Sequence, residues 1–223
     1  MYSTRLDTRK LTRVALLGAL VVILQIIAAY VQPIPNLSLN FSLVPVIVGA
    51  VLYGPLVGGF LGGVSAVVIL AMPSQTAFFY GISIFGTIFV VLLKGITSGA
   101  LAGWVASVLN KENTVLAVYS AAAVCPVVNT GIFLLGCRVF FYDDFVVGAA
   151  AAAEQSPVAF LFVGLAGLNF LIEFGINMVL APVIIRVLPV IGARIAERTS
   201  AKAASSAEPT DGEEKENEPS DEG

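Results

Sequence analysis

Histidine is missing from all 223 residues, and the chain has only two cysteines, one tryptophan and a 12% share of charged side chains. Each scarcity excludes chemistry. Imidazole is the commonest metal ligand and the usual general base near neutral pH, so HExxH zinc sites, Ser-His-Asp triads and histidine proton relays are ruled out. Cys125 and Cys137 stand in one apolar segment, about 18 Å apart along a helix and too far for a disulfide. With no further cysteine, neither a bridge nor a zinc site is indicated, and no cofactor is expected. A GxxxxGK[ST] phosphate loop is missing too, so ATP is not hydrolysed by that route. Basic residues cluster only beside the first and last apolar segments, where membrane topology explains them, and nucleic acid is not an expected partner. A binding protein, not an enzyme, is the expectation.

What the chain has is apolar surface: 57% hydrophobic residues and a mean hydropathy of +0.92. Soluble domains hold about 45–50% apolar residues and about 25% charged ones. A soluble fold would expose the excess to water, whereas runs of about 20 apolar residues are at home in a bilayer. The expected class is an all-α, polytopic membrane protein.

Six transmembrane helices account for the apolar runs. Residues 11–30 form the first, after Arg5, Arg9, Lys10 and Arg13. Pro33 and Pro35 end it and open a link over 31–40. The block 41–72 is too long for one crossing, and Gly54-Pro55 near its middle divides it into helices over about 42–53 and 55–71. Residues 72–80, with Pro73, Ser74 and Gln75, read as a loop. A helix over about 81–109 carries Lys94; a polar turn over 110–113 leads to the next, over about 114–141. In the loop 143–156 the run GAAAAAE favours a short helix. The last span runs from about 157 to 188.

Charge placement agrees with six. Arg186, Arg194, Arg198 and Lys202 flank the last span as Arg5, Arg9, Lys10 and Arg13 flank the first. If both clusters obey the positive-inside rule, the crossings are even in number and both termini cytoplasmic. The links 31–41, 72–80 and 142–156 then share the outer side and can close over a pocket. Three parts follow: a basic cytosolic flank (1–10), a transmembrane substrate-binding domain (11–190) and a cytosolic tail (191–223). Residues 1–202 carry 11 Lys or Arg against seven acids, while 203–223 carry Lys215 against eight. That acidic end has no apolar anchor and is expected to be disordered.

Ionised groups inside lipid cost about 2.5–3.5 kcal/mol or more each, so they face a cavity or a partner. Lys94 and Glu173 are the candidates: they either neutralise each other or address a polar ligand, Lys94 through a carboxylate and Glu173 through amide or hydroxyl donors. Asn169, Glu173 and Asn177 recur every fourth residue and form one polar stripe. Asn129 and Thr130 lie midway along the preceding helix. Such amides either glue helices together or line a site. Arg138, Tyr142, Asp143 and Asp144 stand at the outer mouth, where solvation alone accounts for them. Small residues at fourfold spacing, Ala15 with Ala19, Gly58 with Gly62 and Gly99 with Gly103, let helix backbones approach closely.

Several stretches together resemble the substrate-binding S components of energy-coupling factor (ECF) vitamin transporters. They are Ala15-Leu-Leu-Gly-Ala19 after a basic flank, LVPVIVGAVLYGPLVGGFLGGVSA, LLKGITSGALAGWVA, the Asn129-Thr130 pair and LNFLIEFGINMVLAP. The resemblance covers about 11–190. It implies that Ala15 and Ala19 dock on a transmembrane coupling subunit, itself seated on a pair of ABC-type ATPases. It also implies a vitamin pocket near the outer face, built from the fourth to sixth crossings, and uptake in which the S component topples as its partners hydrolyse ATP. Lys94, Asn129, Arg138, Asn169 and Glu173 are the expected substrate-binding residues. Pantothenate, folate and riboflavin are the vitamins considered, in that order, since a carboxylate suits Lys94 or Arg138. The rival reading is a structural or assembly subunit without a ligand of its own. A secondary transporter would need an inverted repeat and ion-coupling carboxylates, and Glu173 is the one acid expected deep in the membrane.

Overall fold

The computed structural model describes residues 8–30, 41–109, 113–167 and 169–186. The chain divides into two units, Met1–Arg186 and Val187–Gly223. The link 31–40, the polar turn around Lys111 and the acidic tail expected from about 203 lie outside the described residues.

Within the first unit every described element is helical. α1 (Thr8–Tyr30), α5 (Ile84–Leu109), α6 (Thr114–Phe140) and the segment Pro157–Arg186 are each long and apolar enough to cross a bilayer. α2 (Leu43–Tyr53) and α3 (Pro55–Leu70) are shorter apolar helices, about 16 and 24 Å long. They meet where the sequence breaks the 41–72 block. Gly54 adopts φ +89°, a conformation open to glycine and costly for other residues, and Pro55 opens α3 with the φ a first helical residue needs.

Two segments depart from expectation. The stretch 72–80 is not a loop: α4 (Pro73–Ile82) fills it. Proline breaks a helix from within but begins one well, and Pro73 stands at the first position. Thr76 Oγ1 donates to the Met72 carbonyl at 3.0 Å and Tyr80 Oη to the Leu70 carbonyl at 3.0 Å, tying α4 to the end of α3. The region after α6 is also helical, first as a π-helix (Tyr142–Val147) and then as α7 (Gly148–Ala152), the short helix that the alanine run predicts. The last span opens with α8 (Pro157–Ala159), capped by Ser156 Oγ accepting from Ala159 N at 3.2 Å. It continues as a second π-helix (Phe160–Gly167) and closes as α9 (169–186).

α5 is the centre, packed along α3 on one side and α6 on the other. The α3–α5 seam has almost no side chains. A Cβ added at Gly58 would strike the Gly99 carbonyl oxygen, and one at Gly62 the Gly95 carbonyl oxygen, so the two backbones touch. α1 joins through Lys10, whose Nζ lies 5.9 Å from the Tyr53 ring centroid, and through a buried polar knot. Ser42 Oγ donates to Gln25 Oε1 at 2.7 Å, Ser65 Oγ contacts the same oxygen at 3.1 Å, and the two hydroxyls lie 2.9 Å apart. α1, α2 and α3 are thereby stitched where no water reaches. Large apolar side chains such as Leu56, Phe85 and Val179 face outward, as lipid contact requires.

Candidate functional site

The polar residues inside the bundle collect between α5, α6 and α9. Cys125 of α6 sits beside Ser98 of α5 and feels the charge of Glu173 of α9; Lys94 feels Glu173 as well. α6 runs against α5, since Gly86 meets Phe140 and Gly136 meets Val90. Helical spacing then puts Lys94 and Asn129 about one turn from Ser98 and Cys125, each on its own helix, and Asn169 and Asn177 one turn to either side of Glu173. Lys94 and Glu173 come within electrostatic reach of each other. Asn129 and Glu173 are buried, while Lys94 and Asn169 are half-buried.

Lys94 reaches toward the C-terminal end of α6. Its Nζ lies 5.2 Å from the Phe133 ring centroid, about one turn beyond Asn129, and Cys137 is close by. A cation over an aromatic face is stabilised by the ring quadrupole, by ~2 kcal/mol or more where desolvated. Phe133 belongs to an aromatic roof. Phe79 of α4 meets Phe133, Phe141 and Phe145 edge-on at centroid distances of 6.0, 5.1 and 5.6 Å, and Phe145 meets Phe160 at 6.1 Å. Rings from four separate elements thus join in one cluster whose Phe133 meets the lysine, and offset or edge-on pairs of this kind each add about 0.5–1.5 kcal/mol beyond burial.

Arg138 is placed apart. It is exposed at the C-terminal end of α6, its Cζ 4.0 Å from the centroid of the Tyr142 ring, near the exposed Asp143 and Asp144 in sequence. Ala15 and Ala19 lie on the exposed face of α1, whereas Gly18 between them turns inward to Leu61. Cys125 and Cys137 are both free and buried along α6. Reasoning from sequence missed two features: the Gln25–Ser42–Ser65 knot and the phenylalanine roof. A lone amide in the apolar run of α1 was the available signal for the first. The Phe78-Phe79 pair in a stretch read as loop was the signal for the second.

Residues 9–185, most of the chain, match the family described as ECF transporter, substrate-specific component. The chain belongs to this family. It is thus a substrate-binding subunit of a membrane transporter, embedded through several helices, and the family implies a small-molecule substrate and partners of the ECF module. No curated protein and no solved structure matches it. In this S component the polar residues between α5, α6 and α9 are the strongest candidate for the substrate site, because ionised side chains are placed inside lipid only against a partner, a cavity or a ligand.

Proposed function

We propose that this S component captures a small water-soluble vitamin bearing a carboxylate, of the pantothenate or folate class, at the outer face of the cell membrane. The chain crosses the bilayer six times and keeps both termini in the cytoplasm. Lys94 pairs with the carboxylate, leaving its rest over Phe133. Asn129 and Asn169 supply amide donors and acceptors, and Glu173 accepts from donors deeper in. Arg138 at the mouth draws the anion toward the roof. Ala15 and Ala19, on the exposed side of α1, dock on the transmembrane coupling subunit, and a pair of ABC-type ATPases drives uptake.

The observation that carries this reading is the ammonium of Lys94, held inside an apolar bundle against an aromatic face. Riboflavin, which has no carboxylate, leaves that cation unused and ranks last. Proteoliposomes holding the chain, its coupling subunit and the ATPase pair test the proposal. Radiolabelled pantothenate or folate is expected to accumulate with internal ATP only when all components are present. Equal accumulation without the S component would refute it.

A further inference from the structure

α9 carries one polar group beyond those assigned above. Asn177 Nδ2 donates to the Glu173 carbonyl at 2.8 Å, which fixes the amide plane and turns Oδ1 away from that carbonyl. The oxygen is buried and accepts no hydrogen bond among the described residues, in a side chain only 2% exposed. Buried acceptors are almost always satisfied, because an orphan loses its water without gaining a partner.

Helical spacing supplies no donor one turn from the polar pair Ser98 and Cys125 toward this end: the residues there are Ala102 of α5 and Ala121 of α6, both fully buried, and a methyl group has no proton to give. Ser98, a turn above, donates its hydroxyl to the Gly95 carbonyl at 3.1 Å. A buried, oriented acceptor without a donor, one turn along the same helix face from Glu173, is what the floor of a site presents. Glu173 in turn lies within electrostatic reach of Lys94.

We infer that Asn177 is a further ligand-contacting residue. Its Oδ1 accepts a hydrogen bond from a hydroxyl or amide of the bound molecule, so the site selects ligands that carry an anionic group and a neutral donor deeper in. The donor lies about 6 Å, one helical turn, below the level of Glu173. This rests on the vitamin-binding reading and deepens it: the end of the substrate opposite its carboxylate is recognised by Asn177.

Asn177→Leu in the full chain, titrated with pantothenate, folate and riboflavin, tests the inference. Without vitamin the variant is expected to melt no lower than wild type, since an unsatisfied acceptor has been removed. Its affinity for the vitamin that stabilises the wild type is expected to fall at least tenfold. Asn177→Ala, which adds no volume, is expected to lose the same affinity should leucine overfill the floor. Unchanged affinity in both variants overturns the inference, as does a loss of affinity that only tracks a lower melting temperature without vitamin, the mark of helix glue. A wild-type chain that responds to none of the three vitamins overturns the parent reading itself. Wild type alone distinguishes that failure from the others.

Discussion

The α3–α5 seam makes a quantitative demand on a single methyl group. Alanine at position 62 raises helix propensity by about 1 kcal/mol. Its Cβ would land on the Gly95 carbonyl oxygen, a backbone atom at the centre of the bundle that no rotamer change can move. Overpacking costs about 1–3 kcal/mol where side chains can shift, and more where they cannot. The expected net loss is about 2 kcal/mol. In a chain of this size, that corresponds to a fall of roughly 4–8 °C in melting temperature. Position 63 is the control, because an added Cβ there lies 3.4 and 3.9 Å from side-chain atoms of Ile96, which can yield. Gly63→Ala should keep the propensity gain and melt at or slightly above wild type. Both variants can be followed in detergent by the helical circular dichroism signal. If Gly62→Ala melts with Gly63→Ala, backbone contact does not hold the two helices and the packing argument fails.

Other consequences follow from the same contacts. Gln25→Leu removes the oxygen that Ser42 and Ser65 share; at ~0.6–2 kcal/mol per interhelical hydrogen bond, thermal melts should show a loss of about 1–2 kcal/mol, and Ser65→Ala a smaller one. Lys94→Met should weaken pantothenate or folate by about 30-fold or more, the cost of leaving a buried carboxylate unpaired, with the melting of the vitamin-free protein preserved. A large drop in that melting with affinity intact would instead assign Lys94 to Glu173. Ala15→Leu should abolish co-purification with the coupling subunit, and with it uptake, without touching vitamin binding; lost binding with assembly kept would contradict the docking role of α1.

Much of this architecture was legible because the bilayer imposes simple rules. Apolar runs set the long helices, and Gly54-Pro55 set the α2–α3 break to within a residue. The stripe of Asn169, Glu173 and Asn177 is a periodicity any helix must obey. What escaped depends on contacts between segments distant in sequence. Pro73 looks alike whether it ends a helix or begins one, and α4 is held by Tyr80 reaching Leu70 and by Phe79 among rings of α6 and the first π-helix. Gln25, Ser42 and Ser65 share no period, so only the fold brings them together. The polar residues were legible to the same extent: spacing places Asn169 and Glu173 on one face, but only the fold brings Lys94 to Phe133 and Arg138 to Tyr142.

Equilibrium binding by the isolated chain, without coupling subunit or ATPases, tests the central claim most directly. Radiolabelled pantothenate and folate are dialysed against the purified protein, and its melting is followed at saturation. Saturable binding of one of them at one molecule per chain is expected. At about 1,000 times Kd it should stabilise the fold by about 4 kcal/mol, a rise of roughly 8–16 °C. Neither saturable binding nor a melting shift with either vitamin would contradict it.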